Sequence, residues 1–200
     1  RVLRLTVDAR DIYTRGHSDR VSYYAEHIAR AMNKDEEYCS RVRIAGLFHD
    51  LGKLNVPDSV LLKDSSLTGE EYALIKTHPA KGSEMLSSVS VFKDMAVIVR
   101  SHHERWDGKG YPDGLKGEEI QEEARIIAVA DAFDAMTSTR RYRASRSLEY
   151  AKSEIIRGRG TQFDSNVADT FLKLLDNYDS MSAELEWTHD DAMQRGKDNG

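Results

Sequence analysis

The chain has 200 residues, of which 32% are charged and 40% hydrophobic, with a formal charge of −5. That is enough chain for one large domain with a well-buried core, or for two very small ones. No uninterrupted apolar run exceeds that from Ile126 to Ala130, far short of the ~20 residues of a membrane-spanning helix.

The single cysteine, Cys39, excludes an internal disulfide framework and fits a reducing compartment. With no export pattern at the start, the expected location is cytoplasmic. The charge is unevenly spread. Between Asp176 and Gly200 there are seven acidic and two basic residues, so the rest of the chain is neutral. A neutral body is a poor match for a nucleic-acid polymer, because gripping a long polyanion needs a basic face. Any phosphate chemistry must therefore be local.

In chain order, Arg1 to Asp11 reads as the end of a linker helix from an upstream domain, with the linker assigned to 1–10. The main domain is expected over 11–178 and an acidic polar tail, partly disordered, over 179–200. Val21, Tyr24, Ala25, Ile28 and Met32 recur at helical spacing, and Tyr38, Val42, Ala45 and His49 form a second stripe. Thr68 with Glu71 has the form of a capping box opening a helix through Leu74 and Ile75. His78 precedes Pro79, where that helix should end or kink. Further stripes run through Met95, Ile98, Val99 and His102, and through Ile127, Ala130, Asp131, Asp134 and Ala135. Ser147 can cap a helix closed by Gly158, and Asp164 one with Val167, Phe171, Leu174 and Tyr178 inward. No stretch alternates as a strand would. The fold class is all-α, about seven helices. A glycine-rich loop from Asp107 to Gly117 interrupts the pattern, and such ordered loops often carry function.

His17, His49, His78, His102 and His103 fall on or at the ends of apolar stripes, and Asp50 and Asp131 stand beside or among them. His27 and His189 read as surface residues. Any one of these residues alone fits a salt bridge or a hydrogen-bonded core histidine. All seven together on buried faces demand a common partner, since an unpaired buried carboxylate costs several kcal/mol. A divalent metal cluster in the core satisfies them. One tetrahedral zinc uses four ligands, so seven with a carboxylate able to bridge point to two metals.

The string His49-Asp50-Leu51-Gly52-Lys53-Leu54-Asn55-Val56-Pro57-Asp58, followed by His102-His103-Glu104-Arg105-Trp106-Asp107-Gly108-Lys109-Gly110-Tyr111-Pro112, resembles the HD-GYP branch of the HD metal-dependent phosphohydrolases. The resemblance runs from about Arg10 to Phe171. It implies a single compact HD-type domain that hydrolyses cyclic di-GMP to pGpG, GMP or both, through a hydroxide bridging two metals. By matching positions, His17, His49, Asp50 and Asp131 hold one ion, and Asp50 bridges to a second held by His78, His102 and His103. Lys53 is expected to neutralise charge on the reacting phosphoryl group; a lysine favoured by a helix C-terminus is the plainer alternative. Arg140 and Arg143 are expected at the substrate's phosphate or guanine, against the alternative of a solvated basic loop. Gly110 and Tyr111 are further expected substrate contacts. Asp134, one turn after Asp131, is expected either to support a metal ligand from behind or to contact the substrate, and Trp106 or Tyr111 is a candidate to stack on guanine or a partner. The loop is also an expected contact for diguanylate cyclase domains.

Three departures stand out. Three-metal members carry a Glu four residues before the first histidine, where this chain has Tyr13, and Asp11 is six residues away. Two ions, Fe or Mn ahead of Ni, Co or Zn, are therefore expected. Arg140-Arg141-Tyr142-Arg143 lacks the usual proline, and Ser165 replaces another. Another cyclic dinucleotide such as 3′,3′-cyclic GMP-AMP is the nearest alternative substrate. A non-catalytic signalling module is the alternative of a different class, disfavoured by the intact ligand set and Lys53.

Overall fold

The computed structural model describes residues 16–138, 145–183 and 185. Among them are nine α-helical segments and no named strand: α1 (His17–Ala31), α2 (Glu36–Phe48), α3 (Asp58–Leu61), α4 (Gly69–Ile75), α5 (His78–Ser87), α6 (Lys93–Ser101), α7 (Glu122–Thr137), α8 (Leu148–Gly158) and α9 (Ser165–Leu174). Two of them, α3 with four residues and α4 with seven, are two turns or fewer, and the other seven agree with the expected number of helices. None of the described helices is long and apolar enough to cross a membrane.

The helix starts follow local chemistry. Thr68 Oγ1 accepts from Glu71 N while the Glu71 side chain accepts from Thr68 N, closing the capping box of α4. Ser147 accepts from Tyr150 N at the start of α8, and Asp164 from Asn166 N at the start of α9. The expectation at His78 needs correcting. Pro79 neither ends nor kinks the helix of Thr68, which already stops at Ile75; it sits in the first turn of α5, where a missing N–H costs nothing.

Around α1 the core is assembled from α2, α7 and α9. Helix α7 is apolar on nearly every side, with Ala124, Ile126, Ile127, Val129, Ala130 and Phe133 all buried, which places it at the centre. The rings of Tyr24 and Phe171 each meet Phe133 edge to face, at 5.2 and 5.0 Å, and lie tilted to one another at 6.0 Å, locking α1, α7 and α9 together. Helical residues continue through 178–183, and Met181 joins the core with 7% exposure, so ordered packing extends past the expected start of a polar tail. Residues 1–10, Tyr13, Arg140, Arg143 and His189 lie outside the described residues.

Helix α5 packs against α6 and against the 3₁₀ helix Leu51–Asn55 that follows α2. The close approach depends on Gly52, where a Cβ would lie 1.9 Å from the His78 carbonyl oxygen and 2.5 Å from Gly82 N. This brings the end of α2 and the start of α5 side by side.

Candidate metal centre

Histidines close or open four helices here, and all point inward. His17 is the first residue of α1, His49 follows α2, His78 opens α5 and His102 follows α6. Their exposures are 4%, 0%, 1% and 0%.

Three of them are aimed by one local device. His49 Nδ1 lies 2.7 Å from the Gly46 carbonyl, His78 Nδ1 2.7 Å from that of Ile75, and His102 Nδ1 2.6 Å from that of Val99. A carbonyl only accepts, so each Nδ1 carries the proton and each Nε2 presents a lone pair to the interior. His17 is aimed differently, with Nδ1 2.7 Å from Asp134 Oδ2. That pairing of carboxylate, histidine and open Nε2 is the outer support typical of a metal-binding imidazole.

Asp50 lies between two groups of these atoms. Its Oδ2 is 3.5 Å from His49 Nε2 and 3.8 Å from His17 Nε2, while its Oδ1 is 3.4 Å from His78 Nε2. His78 Nε2 is 3.3 Å from His102 Nε2, and His103 lies beside both rings. Asp131, from the middle of α7, reaches His17 Nε2 at 3.3 Å. Two sets thus have ligand atoms within 4.8 Å of one another, His17–His49–Asp50 and His78–His102–His103.

These donors fit divalent cations. His49 Nε2 is buried and without a hydrogen-bond partner among the described residues, a lone pair directed at the cluster's centre. Neutral imidazoles and carboxylates suit borderline divalent ions. Burial drives the His78 imidazole down to about 4, and it lowers His102 and His103 too, so this set is uncharged at neutral pH. Burial resists ionisation of Asp50, but Lys53 and the surrounding histidines hold it well below the usual carboxylate range.

Lys53, from the 3₁₀ helix, places Nζ 2.6 Å from Asp50 Oδ2 while remaining partly exposed. It is the cation at the mouth of the cluster. Tyr111 lays its ring against His103, with centroids 4.9 Å apart. The cluster therefore brings together His17, His49, Asp50, Lys53, His78, His102, His103, Tyr111 and Asp131.

Two expected substrate contacts have other surroundings. Asp134 is 1% exposed and turned behind His17, its oxygens taken by His17 Nδ1, by Arg20 Nε at 2.5 Å and Nη2 at 3.1 Å, and by Ser138 Oγ at 3.1 Å. It has no oxygen left for a substrate. Gly110 does permit a close approach, but to its own chain: a Cβ would meet Arg105 N at 2.4 Å and Glu104 Cα at 2.5 Å. The loop is folded back on the strip following α6, with Glu104 Oε1 accepting from Asp113 N and Gly114 N. Trp106 is likewise engaged, lying under the Arg125 guanidinium. His27 stacks on Tyr23, away from the cluster.

Arg20 and Glu104 were missed by sequence reasoning. Arg20 follows His17 by three residues, the helical spacing that allows both to reach one carboxylate. Glu104 offers no comparable signal, since its role depends on how the loop returns.

Comparison with known proteins agrees with this arrangement. The HD domain family model matches residues 2–167. A cyclic di-GMP phosphodiesterase of Thermotoga maritima is 40% identical over 175 residues, covering 86% of this chain and 48% of the relative. A 3′3′-cGAMP-specific phosphodiesterase 3 of Vibrio cholerae is 41% identical over 145 residues, covering 72% of this chain and 32% of the relative. This chain thus spans less than half the length of either relative. The crystal structure of a cyclic GMP-AMP specific phosphodiesterase of V. cholerae superposes with a TM-score of 0.75 at 23% identity, over 96% of this chain and 51% of that one, a likeness of fold. With the His49-Asp50 pair at the centre of the histidine cluster and the Gly110-Tyr111-Pro112 loop beside it, the chain belongs to the HD domain family, whose members use divalent metals, and to its HD-GYP branch.

Proposed function

We propose that this chain is a metal-dependent phosphodiesterase that hydrolyses a 3′,5′-phosphodiester bond of a cyclic dinucleotide, cyclic di-GMP in the first place. The observation that carries this reading is Asp50, one oxygen of which faces His17 and His49 and the other His78. Such a carboxylate could be shared by two ions, of which His17, His49 and Asp131 would hold one and His78, His102 and His103 the other. Two such ions, when bound, supply an acidified water and charge neutralisation for in-line displacement at phosphorus. Fe or Mn suits these donors, and Tyr13 in place of a carboxylate favours two ions over three.

The chain's own residues then do the rest. Asp50 stays ionised at neutral pH and holds the two ligand sets in register. Lys53, partly exposed beside Asp50, would oppose charge growing on the phosphoryl oxygens. Tyr111 packs His103 into place. Arg140 and Arg143 are proposed at the substrate's phosphate or guanine, on the resemblance alone. The cytoplasm is the proposed location, and contact of the loop with diguanylate cyclase domains remains part of the proposal.

The T. maritima relative's name favours cyclic di-GMP, and that of the V. cholerae relative makes 3′,3′-cyclic GMP-AMP the second substrate to try. The test is to load the protein anaerobically with Fe(II) or Mn(II), add each dinucleotide and resolve the nucleotides over time. Metal-dependent linear dinucleotide or mononucleotide, absent in the His49→Ala, Asp50→Ala double variant, supports the proposal. No turnover of either substrate by fully loaded protein overturns it in favour of a binding module.

A further inference from the structure

Among the described residues, Lys76 stands near the cluster with no acid to answer it. Lys53 is paired with Asp50 and Arg20 with Asp134. Lys76, two residues before His78, is half-buried and has no carboxylate partner among the described residues. Its Nζ lies instead 4.8 Å from the centroid of the Tyr72 ring and 5.3 Å from that of Tyr111. Aromatic faces attract an ammonium but leave its charge in place and its three donors open.

The two elements that converge there are both fixed. Helix α4, carrying Tyr72, is held by its capping box and by Glu71 accepting from Lys63 Nζ at 2.6 Å. Tyr111 is held by its own N–H donating to the His103 carbonyl at 3.2 Å and by its ring against His103. Lys76 Nζ is therefore separated from the His103 ring by two ring contacts, of 4.9 and 5.3 Å.

A cyclic dinucleotide carries two phosphodiesters, one nucleoside apart. When one lies at the metals, the other brings a second negative charge a few ångströms further out. We infer that Lys76, held over the rings of Tyr72 and Tyr111, binds this second phosphate, the one that is not being cleaved. The inference rests on the reading of the chain as a cyclic-dinucleotide phosphodiesterase and assigns one residue of its specificity. A lysine suits the task as a point charge toward a phosphate that needs holding but no chemistry.

The experiment is steady-state kinetics of the Mn(II)-loaded protein and its Lys76→Gln and Lys76→Arg variants with cyclic di-GMP, alongside metal analysis of each. Lys76→Gln is expected to raise KM about 10-fold, roughly one charged contact, with kcat within about two-fold and metal content unchanged. Lys76→Arg should keep KM within about three-fold, since it restores the charge. An unchanged KM in Lys76→Gln, or a loss of metal with a fall in kcat, overturns the inference and makes Lys76 a support for His78. The wild-type protein is also assayed with bis(p-nitrophenyl) phosphate, which has a single phosphate. Cleavage of that compound without cleavage of cyclic di-GMP or 3′,3′-cyclic GMP-AMP removes the proposed substrate itself, and the role of Lys76 with it.

Discussion

Gly52 is pressed so closely against His78 that a Cβ on it would sit 1.9 Å from the His78 carbonyl oxygen. The contact joins the segment carrying Asp50 and Lys53 to the helix that His78 opens. Neither partner can yield easily, because both clashing atoms belong to backbone. Gly52→Ala is therefore expected to push α5 away from the 3₁₀ helix, destabilise the fold by about 1–3 kcal/mol, and weaken metal binding at the His78–His102–His103 set. Thermal unfolding together with metal content per chain checks this; an unchanged metal count would show that the two segments can separate without disturbing the ligands.

Asp134 acts on the cluster through His17. Replacing it with Asn removes the charged acceptor that fixes the Nδ1 proton and leaves the part-buried Arg20 without its countercharge. Asp134→Asn should lower metal affinity about 10- to 100-fold at the His17 set, the range found for such supporting carboxylates. Competition with a chromogenic chelator gives the affinity directly. Arg20→Ala should move it in the same direction by less.

Lys53 calls for a different signature. If it serves the reacting phosphate, Lys53→Ala should lower kcat by about 10²–10³ with both ions retained. Loss of metal in that variant would instead make its contact with Asp50 structural.

The two ligand sets should also differ in protons. Burial pushes the His17 imidazole down, but the hydrogen bonds and charges of Asp131 and Asp134 outweigh it and raise the group to about 9. In metal-free protein at pH 7 His17 is thus an imidazolium, whereas His78, lowered to about 4, is neutral. A metal needs the bare Nε2, so uptake at the His17 set must expel a proton and uptake at the His78 set none. Calorimetry in two buffers of different ionisation enthalpy should register about one proton released per chain at pH 7, falling toward zero as pH rises past 9. No proton release at pH 7 would contradict the charged His17.

The cluster was readable in the sequence because its members announce themselves chemically: histidines and aspartates on otherwise apolar helical faces have few explanations. Helix starts at Thr68, Ser147 and Asp164 were readable because capping is decided within four residues. The errors arose where the answer depends on another part of the chain. Spacing puts Asp134 one turn from Asp131, but only the packing of α1 on α7 shows His17 and Arg20 claiming its oxygens. Gly110 was expected at the substrate, yet what approaches it is the backbone after His103. Pro79 marks a helix boundary equally well as an end or as a beginning, and Thr77, at the N-cap position, turns its hydroxyl back to the Leu74 carbonyl instead of capping the new helix.

At His49, His78 and His102, each ring is pinned by a carbonyl three residues earlier in the chain. Ring orientation is thereby a property of a four-residue peptide and travels with it as a rigid unit. Any sliding of α5 against α6 carries the donor nitrogens along almost undiminished. The spacing of His78 from His102 within their set, and with it the size of ion that set accommodates, is consequently governed by apolar residues in the helix contacts, such as Val99 where it meets Gly82. Metal preference in this chain should be adjustable by substitutions that touch no ligand at all.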